Sequence, residues 1–326
     1  MPQLSTTVAV PPAPFRLTPA TRILCLGSCF AAVVGKNWQE NLLPGLHNPC
    51  GILFNPASIL NILRLLEDPQ AEQQLQQSLF QRDGLWHSFL FHSCFSAPEY
   101  ATARDGMLAA WDQTRRFVPT ADILFLTWGS ARVWKHQSQP GQPVSNCHCL
   151  PAQEFHNRLL SAEEIQLAYT AFLEKFLDRY PDLQVVLSVS PVRHLGDGAA
   201  QNSVNKANLL LAAQRLVQSF PNRITYFPAY EILLDELRDY RFYGPDLCHP
   251  NQLAESIIWE RLTQAWGGPE LAEYLQLSTQ LLAWQNHQPR LPDGLPARRW
   301  RQKAELQIQA LNTQLAALRQ PRGADA

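Results

Sequence analysis

A doubly wound α/β sheet is the fold this sequence predicts. Four short apolar runs, at residues 22–26, 122–127, 183–189 and 224–227, suit parallel strands covered on both faces. Stretches of helical period separate them, and strands alternating with helices build this architecture. Polar residues also gather just past the runs, at the carboxyl edge where such sheets hold ligands.

In chain order, residues 1–19 read as a loose Pro-rich arm. The run RILCL stops at Gly27, and Ser28 stands at the mouth of a helix expected over 31–42. A second helix is expected over 56–66, with Asn55 as N-cap and Pro56 in its first position. Residues 79–95 and 132–150 are rich in aromatic residues, His and Ser. They lack helical period and read as hairpins or long loops over the carboxyl edge. Helices follow at 99–117 and at 162–180, where Ser161 and Glu164 form a capping box, then at 203–220 and 251–266. The composition then changes. A helix at 271–285 and a Pro-rich linker at 287–296 lead to a helical tail at 297–320. In the tail, Ala304, Ile308, Leu311, Leu315 and Leu318 hold heptad spacing over about two repeats, short of a coiled coil. That face suits docking on the chain's own body or pairing with a second copy as a homodimer. The expected division is an arm (1–19), one domain (20–286), a linker (287–296) and a C-terminal helix (297–326).

Composition narrows the function. Of 326 residues 46% are hydrophobic, enough for a large core, and the net charge of −1 gives no electrostatic case for nucleic acid or an anionic membrane. The N-terminus lacks the basic start and apolar core of a signal peptide, and no run of about 18 apolar residues occurs. Seven cysteines cannot all pair internally. A reducing cytoplasm is the expected location.

Ser28 leaves a strand where a helix N-terminus offers unpaired N–H groups, a setting for a nucleophile and an oxyanion. A small residue is also ordinary at so tight a turn. Cys29 is the rival nucleophile, but it lies one position deeper in the helix and is expected to point away from the crevice. Late in the chain, DLCHP places Asp246 three residues before His249, with Pro250 suited to the first turn of a helix. Asp246 can fix the His249 tautomer and His249 can act as base, as in a serine triad; capping of the helix by Asp246 is the structural alternative. Cys147, His148 and Cys149, with His136 and His156 nearby, have the wrong spacing for zinc, so no metal or other cofactor is expected. Arg193 and His194 follow the third run at its carboxyl end and can contact substrate. Trp86, His87, His92 and Trp134 can wall a pocket or simply pack.

The turn GSCFA (27–31) resembles the signature of the GSCFA domain family. NPCGILFNP (48–56), TWGSARVW (127–134), SNCHC (145–149), SPVRH (190–194), YFPAYE (226–231) and RDYRFYGPDLCHP (238–250) follow in matching order. The resemblance covers roughly 20–265. It implies kinship with the SGNH (GDSL-like) hydrolases and a three-layer α/β/α fold with a mostly parallel, flavodoxin-like sheet. By position, Ser28 resembles the nucleophile, His249 the base and Asp246 its support. Gly51 resembles the glycine whose N–H joins that of Ser28 in the oxyanion hole, and Gly129, the glycine of the third block, is a further oxyanion residue by the same resemblance. There the sequence departs: Ala131 stands where those enzymes carry an asparagine donor, leaving Ser130 and Arg132 as candidates to replace it. An arginine could also bind an acidic acyl group or a phosphate. His148 is expected to line the pocket.

The function expected is a serine esterase or O-acyl (acetyl) transferase acting on an ester of a small molecule or glycan through an acyl-enzyme. A binding module of the same fold with weak catalysis, or an interaction protein working through the C-terminal helix, are the alternatives. The leading reading requires the Ser28 hydroxyl and the His249 imidazole to meet within hydrogen-bond range at one rim of the sheet.

Overall fold

The computed structural model describes residues 5–139, 141–287 and 295–320, the last stretch without the side chains of 295–297. The first four residues of the arm, most of the 287–296 linker and residues 321–326 lie outside the described residues.

Five strands form one parallel sheet: β1 (Ile23–Gly27), β2 (Gly45–His47), β5 (Ile123–Trp128), β8 (Gln184–Val189) and β9 (Ile224–Phe227). Two antiparallel pairs lie outside it, β3 (Leu79–Arg82) with β4 (Leu85–Ser88), and β6 (Arg132–His136) with β7 (Phe155–Leu159). The order across the main sheet is β2-β1-β5-β8-β9, with every pairing parallel. Counted among sheet strands alone, this is the 2-1-3-4-5 order of flavodoxin-like folds. The four expected runs are its four long strands. The edge strand β2 is the addition, three residues that carry no apolar run of their own.

Alternation along the strands divides the core into two layers. Leu24, Leu26, Leu124, Leu126, Val185 and Leu187 face α2 (Pro56–Glu67), α4 (Tyr100–Phe117), α5 (Ala162–Arg179) and α6 (Ala199–Ser219). Ile23, Cys25, Phe125 and Val186 face α1 (Cys29–Glu40), α8 (Gln252–Trp266) and α9 (Pro269–Asn286). A short helix, α3 (Ala71–Gln77), precedes the β3–β4 hairpin, and α7 (Ala229–Glu231) runs into a π-helical turn at Ile232–Glu236.

The tail forms α10 (Leu295–Arg319). Its heptad face is turned to the body: Leu311 and Leu315 are buried in the second layer with Leu271, Tyr274 and Leu281 of α9, and Ile308 and Leu318 pack beside them. Arg319 donates to Leu42 O and to the Tyr274 hydroxyl. Of the two uses open to this face, docking on its own body is the one adopted. A second copy seated on this same inward face would have to displace it.

β1 must end in glycine. Gly27 has φ +141°, and a Cβ there would lie 2.1 Å from Thr127 O. The chain can thus pass hard against β5 before turning into α1.

Candidate active site

A cleft of about 640 Å³ opens at the carboxyl edge of the sheet. Ser130, Arg132, Arg193, His194, Asp246 and His249 all line it, as does Trp134. These residues come from three separate segments, the β5–β6 turn with β6, the loop after β8 and the loop before α8, so the topology gathers most of what the sequence offered.

Ser28 lies beneath this cleft rather than in its wall. It is the N-cap of α1, 1% exposed, and its Oγ accepts from Phe30 N–H at 3.3 Å. Asn48 frames the turn: its Oδ1 accepts from Gly27 N–H at 2.8 Å and its Nδ2 donates to Ser28 O at 3.2 Å. Cys29 does not line the cleft, and burial raises its thiol pKa, which disfavours the thiolate a rival nucleophile needs.

Asp246 and His249 form a tight pair. His249 Nδ1 and Asp246 Oδ2 are 2.5 Å apart, while Asp246 Oδ1 accepts from the N–H groups of Cys248 and His249, both at 3.0 Å. Those backbone donors and the imidazole hold the Asp246 carboxyl well below the usual carboxylate range. Asp246 caps its own turn, not the helix: α8 begins at Gln252 with Asn251 as N-cap, so Pro250 precedes the helix instead of opening it. His249 is about half exposed. The required meeting with Ser28 is not made in this conformation, since Ser28 Oγ is hydrogen-bonded to Phe30 and not to His249.

The expected oxyanion donors are engaged. Ser28 N–H donates to Thr127 O at 3.0 Å, Gly51 N–H to Asn48 O at 2.8 Å and Gly129 N–H to Phe54 O at 2.8 Å. Sheet pairing takes the first, a local turn takes the second, and the loop before α2 takes the third. Arg132 is committed as well. Its Nε pairs with Asp197 Oδ2 at 2.7 Å and its Nη1 donates to Asn157 at 2.8 Å, so its charge is already compensated. His148 does not line the cleft. Its Nε2 is 2.8 Å from Ser88 O, in a cluster with Phe80, His87 and Phe89 under the hairpins. Trp86, His87 and His92 also stay outside the lining.

Arg193 and His194 have distinct surroundings. Arg193 N–H donates to Cys248 O at 3.1 Å, its guanidinium donates to Leu247 O, and it stacks 4.4 Å from the Tyr243 ring centroid. Arg193 thus ties the β8 loop to the loop carrying His249. His194 is largely buried, and its Nε2 has no hydrogen-bond partner. Burial, reinforced by Lys206, lowers its pKa to about 4, so the ring is neutral at neutral pH.

Sequence reasoning missed the face of α6 that organises this edge. Asn202 Oδ1 accepts from His194 N–H at 2.9 Å. Asn205 accepts from Ala131 N–H at 2.5 Å and donates to Ser130 Oγ at 2.9 Å. Lys206, 1% exposed, donates to Gly129 O and Ser190 O, both at 2.8 Å, and burial lowers its pKa to about 7. The signal was present: three polar residues at i, i+3 and i+4 continue a stripe whose other members, Leu209, Ala212 and Leu216, are core.

Among the described residues, no helix is long and apolar enough to cross a membrane. No curated protein matches the chain. Among solved structures, a carbohydrate esterase family 3 protein from Talaromyces cellulolyticus is similar at 12% identity and a TM-score of 0.32, over 78% of this chain and 98% of that one. The model of the GSCFA family matches residues 22–262, through Ser28, the β8 loop and the Asp246–His249 turn, and the chain belongs to that family.

Proposed function

We propose that the protein is a serine-dependent ester hydrolase or O-acyl transferase, acting on a small-molecule or glycan ester. The observation that carries this reading is the Asp246–His249 pair, 2.5 Å apart through Nδ1, opening on a cleft at the edge where Ser28 leaves β1. Asp246 selects the tautomer with a bare Nε2, the form a general base needs. Ser28 is the nucleophile. It must first give up its bond to Phe30 N–H and rotate, breaking a neutral contact with a net value of about 1 kcal/mol. His249 then takes the Oγ proton as Oγ bonds to the acyl carbon, and returns it to the departing alkoxide. Water or an alcohol, deprotonated by the same imidazole, releases the acyl group.

One observation favours a second reading, a binding module of the same fold. Ser28 is buried as a helix cap, and the three N–H groups expected to form the oxyanion hole are already bonded. A fluorophosphonate probe and p-nitrophenyl acetate, applied to the wild type and to Ser28→Ala, separate the two. The enzyme reading expects labelling and turnover in the wild type alone. Equal signals from both proteins would remove Ser28 as nucleophile and leave the binding module.

A further inference from the structure

An ester-cleaving serine needs donors where negative charge collects on the carbonyl oxygen. The N–H groups of Ser28, Gly51 and Gly129 each have a carbonyl acceptor already. Ala131 has no polar side chain, and its methyl is buried in the core. The Arg132 guanidinium is held by Asp197 and Asn157.

Two polar groups near Ser28 lack a well-formed hydrogen bond, the Thr127 hydroxyl inside the sheet and the His194 ring nitrogen, and of the two only His194 lines the cleft. Gly129 stands tightly between its neighbours: a methyl built on it would lie 2.9 Å from Phe54 O, 3.3 Å from Ser28 Cβ and 3.4 Å from His194 Nε2. Ser28 and the His194 ring nitrogen therefore sit on either side of the Gly129 α-carbon, and His194 also lines the cleft. That nitrogen is buried and makes no well-formed hydrogen bond, with only the Gly129 backbone within polar reach of the ring, an arrangement that costs free energy unless something else uses it. The ring is held from behind, by Asn202 on its backbone N–H and by the edge of Phe54, whose centroid is 6.5 Å away.

We propose that His194 supplies the side-chain oxyanion donor of this site, its Nε2–H pointing at the carbonyl oxygen of an ester attacked by Ser28. This rests on the reading of Ser28 as nucleophile. As Oγ bonds to carbon, the carbonyl π pair moves onto oxygen and His194 donates a hydrogen bond to it. The proton stays on Nε2, because the proton transferred in this step goes from Ser28 to His249. Burial and the nearby charge of Lys206 keep the imidazole neutral, so it meets the oxyanion as a fixed dipole. Glycine at 129 is required for space, since any side chain there would press on Phe54 O and crowd Ser28 and His194.

The test compares His194→Leu, His194→Gln and wild type with p-nitrophenyl acetate across pH, alongside fluorophosphonate labelling of Ser28. Loss of the donor is expected to lower kcat by about 100- to 1,000-fold in the Leu variant, with KM nearly unchanged. The Gln variant keeps an N–H and is expected to recover at least tenfold of that loss. The pH–rate profile is expected to keep its shape in both. An equal loss in both variants with a displaced acid limb would overturn the proposal, making His194 a base. Wild-type rates in both would overturn it too. Equal labelling of wild type and Ser28→Ala would sink the nucleophile reading itself, a different result from either. Should His194→Leu fail to fold, ¹⁵N-histidine spectra of phosphonylated wild type decide. A neutral His194 with a downfield Nε2–H supports the donor, and an imidazolium signal there overturns it.

Discussion

Asp246 shows how little of a residue's role follows from its exposure. It is open to solvent, yet two backbone N–H groups and the His249 ring converge on its two oxygens. Its folded pKa is depressed below the unfolded carboxyl, so its stabilising effect is complete above the ordinary carboxylate range. That effect is lost only as pH falls through the lower folded value. Asp246 therefore stays ionised throughout the neutral and mildly acidic range. Asp246→Asn keeps an acceptor for the backbone donors but no longer enforces the tautomer with a bare Nε2. A fall in kcat of up to about 10⁴-fold is expected, on the scale of the serine-protease triad, with a thermal midpoint close to wild type. Steady-state kinetics and a melt on the same preparation check both halves; a large loss of stability with kcat intact would mean Asp246 only caps its turn.

At the scale of elements, the site depends on loops being tied to one another. The Asp246–His249 turn is an exposed loop with Leu247 at φ 56°, and what fixes it from outside is Arg193. Stacking on Tyr243 and donation to Leu247 O both use the planar guanidinium, which an ammonium does not reproduce. Arg193→Lys is therefore expected to lower kcat about tenfold or more without restoring the wild-type pH profile, as a positioning residue would. A kcat equal to wild type would show that the turn holds itself. The same contrast explains what could be read from sequence. Strands β1, β5, β8 and β9 were legible because burial on both faces demands continuous apolar runs. The Asp246–His249 pairing was legible because a spacing of three residues on one turn lets carboxylate and imidazole meet. β2 was not, because three residues at an edge need no apolar run, and β7 was not, because its exposed polar residues pair only with β6. The Asn202–Asn205–Lys206 face was hidden by a polarity that reads as solvent-facing until the loops it holds are in place. His148 misled because a motif position says nothing of which way a left-handed turn, here at φ 50°, throws its side chain.

For the whole molecule, the open question is what α10 contributes. Its inward residues complete the second core layer, where Leu311 and Leu315 are 5% and 4% exposed. Burying each leucine is worth about 1.5–3 kcal/mol, against a total stability of about 5–15 kcal/mol for a typical domain. The helix is thus a structural wall of the layer that also backs α1, the element Ser28 caps. Leu311→Ala and Leu315→Ala are each expected to cost about 2–5 kcal/mol, since the cavity left behind adds to the lost transfer energy. The chemical denaturation midpoint should fall in both, with the solution mass of the protein unchanged. Equal midpoints together with a change in mass would reverse the assignment, making this face the seat of a second copy and not a wall of its own domain.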